Sequence, residues 1–77
     1  MRVNVRQLIS VMRSKAEQSG VDTVVLVAQD DGIQAQTLDE AEHAFTQYPG
    51  LVVGTYRVNT RVPDLARMIR EDLGSNA

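Results

Sequence analysis

Val21-Asp22-Thr23-Val24-Val25-Leu26-Val27-Ala28-Gln29 is the stretch on which the fold turns. It is rich in β-branched residues and bounded by Gly20 before it and Asp30-Asp31-Gly32 after it, the composition and punctuation of a strand. From Val24 to Ala28 every position is apolar, so both faces of the strand need covering. A strand buried on both sides belongs in the middle of a sheet.

Downstream, Ile33-Gln34-Ala35-Gln36 alternates apolar with polar, and an Asp-Gly step between two such runs signals a hairpin. Either Asp31-Gly32 forms a two-residue turn or Asp30-Asp31-Gly32 a three-residue loop; one residue of slip would exchange the two faces. The alternation directs Gln34 and Gln36 to solvent. Thr37-Leu38-Asp39-Glu40 fits a capping box, with Thr37 as cap and Glu40 returning to its backbone N–H. Leu38, Ala41, Phe45 and Tyr48 then share one helical face, and Pro49-Gly50 stops the helix. Leu51 to Val58 reads as a third strand. Gly54 in its middle marks a weak point or a place of close approach.

Upstream, Val5, Leu8, Ile9, Met12 and Ala16 follow helical spacing. Asn4 is the N-cap, Gln7 its capping-box partner, Val3 and Leu8 a hydrophobic staple, and Gly20 the left-handed residue past the end. The same stripe recurs at Val62, Leu65, Ala66, Ile69 and Leu73, with Pro63 in the first turn and Gly74 closing the helix. The reading is one α+β domain over residues 1–74 with a frayed tail at 75–77. Its element order is α-β-β-α-β-α, with a three-stranded mixed sheet and three helices packed on it. The second helix, as a right-handed crossover, puts the third strand beside the first and gives the sheet order 2-1-3. This element order is similar to that of type-II KH-like and BolA-like domains. The chain lacks the Gly-x-x-Gly loop of the former and the His-Arg signature of the latter, so the similarity is one of fold alone.

With 77 residues and Phe45, Tyr48 and Tyr56 as its aromatics, the chain must build an aliphatic core near the lower size limit for independent folding. It has no cysteine, hence no disulfide and no thiolate metal site. Its longest apolar run, Val24 to Ala28, is far short of a membrane span. Met-Arg-Val-Asn-Val leads directly into an amphipathic pattern without the apolar core of a signal peptide, so a cytoplasmic location is expected. Self-association is the remaining ordinary means of completing a small core. A homodimer through strand 51–58, partly guarded by Arg57, is the form expected of it.

Catalytic chemistry finds little footing. His43, the single histidine, falls on the polar side of the second helix. Asp30 and Asp31 are explained by turn chemistry, and the loop lacks the ligand spacing of a calcium site. Ser10 and Ser14 have no histidine nearby to activate them, and Gly50 and Gly54 do not precede a helix as a phosphate cradle would. No enzyme, cofactor or metal is expected.

Charge order is more informative. Every Lys and Arg lies between Arg2 and Lys15 or between Arg57 and Arg70, while Glu17, Asp22, Asp30, Asp31, Asp39, Glu40 and Glu42 fill the interval. Arg6 and Arg13 share a flank of the first helix, and Arg67 and Arg70 a flank of the last. If those helices pack side by side, Arg6, Arg13, Arg57, Arg61, Arg67 and Arg70 can form a basic surface, with Asp30, Asp31, Asp39, Glu40 and Glu42 forming an acidic one. Glu17, Asp64 and Glu71 are spaced to neutralise neighbouring arginines instead. Seven of the eight basic residues are Arg, the type favoured at interfaces. The expectation is a small non-catalytic module that regulates, inhibits or adapts a larger protein. The alternative is a nucleic-acid-binding accessory protein that uses the terminal arginines. That alternative is opposed by a net charge of -2 and by Tyr56 being the one aromatic in a plausible position to stack on bases.

Overall fold

Val24, Val25 and Leu26 are fully buried and Val27 is 1% exposed, so the doubly apolar run is covered on both sides. The computed structural model describes residues 4–47 and 52–75, with side-chain surroundings described for 4–43 and 52–74. Its elements are α1 (Val5–Ser19), β1 (Thr23–Gln29), β2 (Gly32–Gln36), α2 (Leu38–Gln47), β3 (Val52–Arg57) and α3 (Val62–Ser75). The three strands form one sheet in the order β2-β1-β3, with the apolar strand central as its composition requires.

The sheet is not mixed. β1 pairs antiparallel with both neighbours. The reason is geometric: β2 and β3 run the same way but lie on opposite sides of β1, so the two parallel strands never touch. The hairpin ladder pairs Gln29 with Gly32, leaving Asp30 and Asp31 as the turn. Neither aspartate has a positive φ; Gly32 takes it instead, at 141°, where a Cβ would be strained.

The helices divide between the two faces. Val5, Ile9, Met12 and Ala16 of α1 and Leu65, Ala66 and Ile69 of α3 pack with Val24, Leu26 and Tyr56 on one face. Ala41 of α2 packs with Val25 and Val27 on the other. In β3 the alternation would send Val53 to the α2 side, but the ladder passes from Leu26–Gly54 to Val27–Val52. Val53 is thus the extra residue of a β-bulge. It joins the α1–α3 core, while Val52 faces α2 opposite Val27.

Two further features depart from the sequence reading. Gln36 does not face solvent: it pairs with Val25 on the face that α2 folds back to cover, and its Oε1 is buried without a hydrogen-bond partner among the described residues. Gly74 does not end α3, which continues through Ser75, and Gly74 has no positive φ. With an ordinary helical backbone available, a glycine near a helix end need not terminate it.

The caps form as their residues demand. Asn4 Oδ1 accepts from the Gln7 backbone N–H at 3.2 Å, and Gly20 closes α1 at φ 67°. In α2 the box is reciprocal: the Thr37 N–H donates to Glu40 Oε1 at 2.9 Å, and the Glu40 N–H donates to Thr37 Oγ1 at 3.2 Å. Val3, Leu51 and the Pro49-Gly50 stop lie outside the described residues, as do the side-chain positions of Phe45 and Tyr48.

Gly54 is a close-approach position. A Cβ there would sit 2.7 Å from Tyr56 Cζ and 2.8 Å from Asp72 Oδ2, and would also collide with the Tyr56 hydroxyl. The tyrosine ring therefore lies back over the bare glycine and reaches α3. No helix of the described residues is long and apolar enough to cross a membrane.

Candidate interaction surface

Because α1 and α3 share one sheet face, the helical arginines Arg6, Arg13, Arg67 and Arg70 come to one layer. Arg57 does not join them: it stands opposite Thr23, on the strand face away from Tyr56, and so on the α2 side. Arg13 leaves α1 to donate from Nε to the Val58 carbonyl at 3.2 Å and from Nη2 to the Thr60 carbonyl at 3.4 Å. It clasps the β3–α3 connection. Arg67 approaches Asp64 one turn earlier at 3.7 Å; both side chains are well exposed, so the pair stabilises little. Arg6 is exposed on α1, on the wall of a shallow groove that also contains Arg13, Glu17 and Pro63. Arg57, Arg61 and Arg70 are exposed, with Arg57 standing across the ladder from Thr23. Asp64, Glu71 and Asp72 belong to the same helix as Arg67 and Arg70, so the arginine layer is mixed in sign.

The α2 layer differs. Leu38–Gln47 contains Asp39, Glu40 and Glu42 and no Lys or Arg of its own. Asp39, Glu40 and Glu42 are exposed, as are Asp30 and Asp31 at the hairpin turn. A cation from α1 reaches this layer. Lys15 crosses from α1 to place Nζ 3.0 Å from Glu40 Oε1 and 3.2 Å from Oε2. The Thr37 N–H first and the Lys15 ammonium second hold the Glu40 carboxyl below its ordinary pKa.

Tyr56 is 2% exposed and is therefore withdrawn from any stacking role. Its hydroxyl donates to Asp72 Oδ2 at 2.5 Å. Burial first, and the adjacent carboxylate second, push its ionisation well above the ordinary tyrosine range. His43 is exposed on α2, and among the described residues no three His, Asp or Glu side chains are placed to hold a metal ion.

The sequence reading missed an apolar feature. Leu38, assigned by spacing to the helix's buried face, is 51% exposed, and Val21, assigned to the strand, is 40% exposed in the α1–β1 loop. Both line one groove, together with Asp22, Thr23, Thr37 and Asp39. A signal was available: Leu38 directly follows the cap, one turn ahead of Ala41, where the chain is still entering the helix. No protein-family model matches this chain, nor does any curated protein or solved structure.

Proposed function

We propose that this chain is a non-catalytic protein-interaction module, a small regulator, inhibitor or adaptor that docks on a larger protein through its acidic α2 side. The observation that carries the reading is the charge of α2. It carries Asp39, Glu40 and Glu42 and no basic residue of its own, with Glu40 paired to Lys15 from α1. The arginine layer, by contrast, has Asp64, Glu71 and Asp72 among its cations and commits Arg13 to its clasp. A surface of one sign steers and orients an oppositely charged partner, and a mixed surface does so less.

Direct nucleic-acid binding gains less support. Tyr56 is buried, Arg13 is engaged with backbone carbonyls, and the acidic total works against phosphate contacts. On this reading the module acts in the cytoplasm, in keeping with a sequence that has no cysteine. A second copy would pair along β3, an edge of the sheet; light scattering after size exclusion reads that directly.

The test is affinity capture from the native host, comparing wild type with Asp39→Asn/Glu42→Gln. The expected result is one partner recovered reproducibly with wild type and depleted with the variant. Recovery of nucleic acid alone, or of a partner indifferent to the variant, would overturn the reading.

A further inference from the structure

We infer that the groove between the α1–β1 loop and the start of α2 anchors the docking surface. It would take from a partner protein an aliphatic or aromatic side chain flanked by Lys or Arg. The inference rests on the interaction-module reading and names the chemistry of the contact.

Singly exposed apolar side chains are ordinary on a protein surface. Val21 and Leu38 are not single. They come from separate segments, are 40% and 51% exposed, and line the same concavity. The charged residues in that lining are Asp22 and Asp39, both exposed. Thr23 and Thr37 add hydroxyls; the Thr23 hydroxyl donates to Asp22 Oδ1 at 3.2 Å, and Thr37 is committed to the capping box. Apolar side chains bordered by polar and charged ones are the composition of an interface hot spot.

Charge complementarity selects the occupant. With carboxylates from the loop and from α2 in the lining, a partner's apolar side chain is best accompanied by a cation. Further along α2, Glu40 is already neutralised by Lys15, so Asp22 and Asp39 are the carboxylates a partner would meet at the groove. Arg57, the exposed cross-strand neighbour of Thr23, is the opposing charge nearby on the sheet. It would repel the partner's cation and so direct it toward Asp39.

The probe is a displayed library of random short peptides selected against the full chain, with enriched sequences synthesised and their affinities measured. Enriched peptides should pair an aliphatic or aromatic residue with Lys or Arg. Leu38→Ser should weaken them at least about tenfold, the scale expected for loss of a buried apolar anchor. Asp22→Asn/Asp39→Asn should weaken them in a salt-sensitive way, and Arg57→Gln should tighten them. All these positions are exposed, and unchanged circular dichroism and urea midpoints would verify that each variant folds. No enrichment, a preference for acidic peptides, or equal affinity for wild type and Leu38→Ser would each overturn the inference. The two readings fail separately. A host partner captured equally by wild type and Leu38→Ser sinks the groove and leaves the module. Groove-binding peptides without any host partner do the reverse.

Discussion

The Tyr56 hydroxyl, from the edge strand β3, donates to Asp72 Oδ2 on α3 at 2.5 Å, and the ring crosses Gly54 to do so. One side chain thus ties strand to helix, and its path requires a neighbour without a Cβ. The arrangement serves stability: the tyrosine is 2% exposed and faces the core built from α1 and α3.

Gly54→Ala should lower stability by about 1–3 kcal/mol, the usual penalty for forcing atoms into a filled site. Urea unfolding measures it. Gly74→Ala is the contrasting change, because a Cβ there meets nothing within 4 Å and the residue is helical, so a gain of about 0.5 kcal/mol is expected. Equal effects at the two glycines would contradict the close-approach geometry.

Tyr56→Phe should cost about 1.5–3 kcal/mol, the range for a hydrogen bond to a charged group. The effect should also depend on pH. The folded phenol ionises above its unfolded value of 10.0, so its stabilisation is whole below that pH and is lost as pH rises from there toward the folded value. Denaturant unfolding at rising alkaline pH should show wild type losing stability faster than Tyr56→Phe. Parallel curves would remove the role assigned to the phenol.

Glu40 gives the opposite sign. Its carboxyl is held below 4.5 in the folded chain, so its contribution is present above that pH and disappears as pH falls through the folded value. Glu40→Gln should therefore be less stable than wild type near neutrality, and the difference should close in acid. Because the Lys15 pair is solvent-exposed, added salt should narrow the gap as well.

Arg13→Met should destabilise by roughly 1 kcal/mol, since it releases the carbonyls of Val58 and Thr60. Arg6→Met, on the same helix flank, should stay within about 0.5 kcal/mol of wild type, as exposed substitutions usually do. Thermal or urea unfolding distinguishes a clasp from a solvated charge.

These outcomes bear on what the sequence could convey. The central position of β1 was legible because four adjacent buried side chains cannot come from an edge strand. The α2 cap was legible because both partners lie within one turn. Both are local statements. Arg13's reach to Val58, Lys15's to Glu40 and Tyr56's to Asp72 join residues from different elements, and no periodicity encodes them. The same limit applies to the surface. Helical spacing sorted Leu38 with Ala41, but only the packed structure shows that the layer begins at Ala41 and leaves Leu38 outside, beside Val21. Charge counting grouped the arginines of the two terminal helices but wrongly added Arg57, which strand alternation sends to the α2 side. It could not show which of them were already occupied.

The bulge at Val53 makes the length of β3 as constrained as its composition. Deleting Val53 would restore simple alternation and leave the aliphatic at 52 opposite Val27, but it would strip the core beneath the paired helices of the side chain that the extra residue supplies. Substitution among Val, Ile and Leu at 52 or 53 keeps the sorting intact. The strand should accordingly accept exchange of aliphatic residues far more readily than it accepts insertions or deletions.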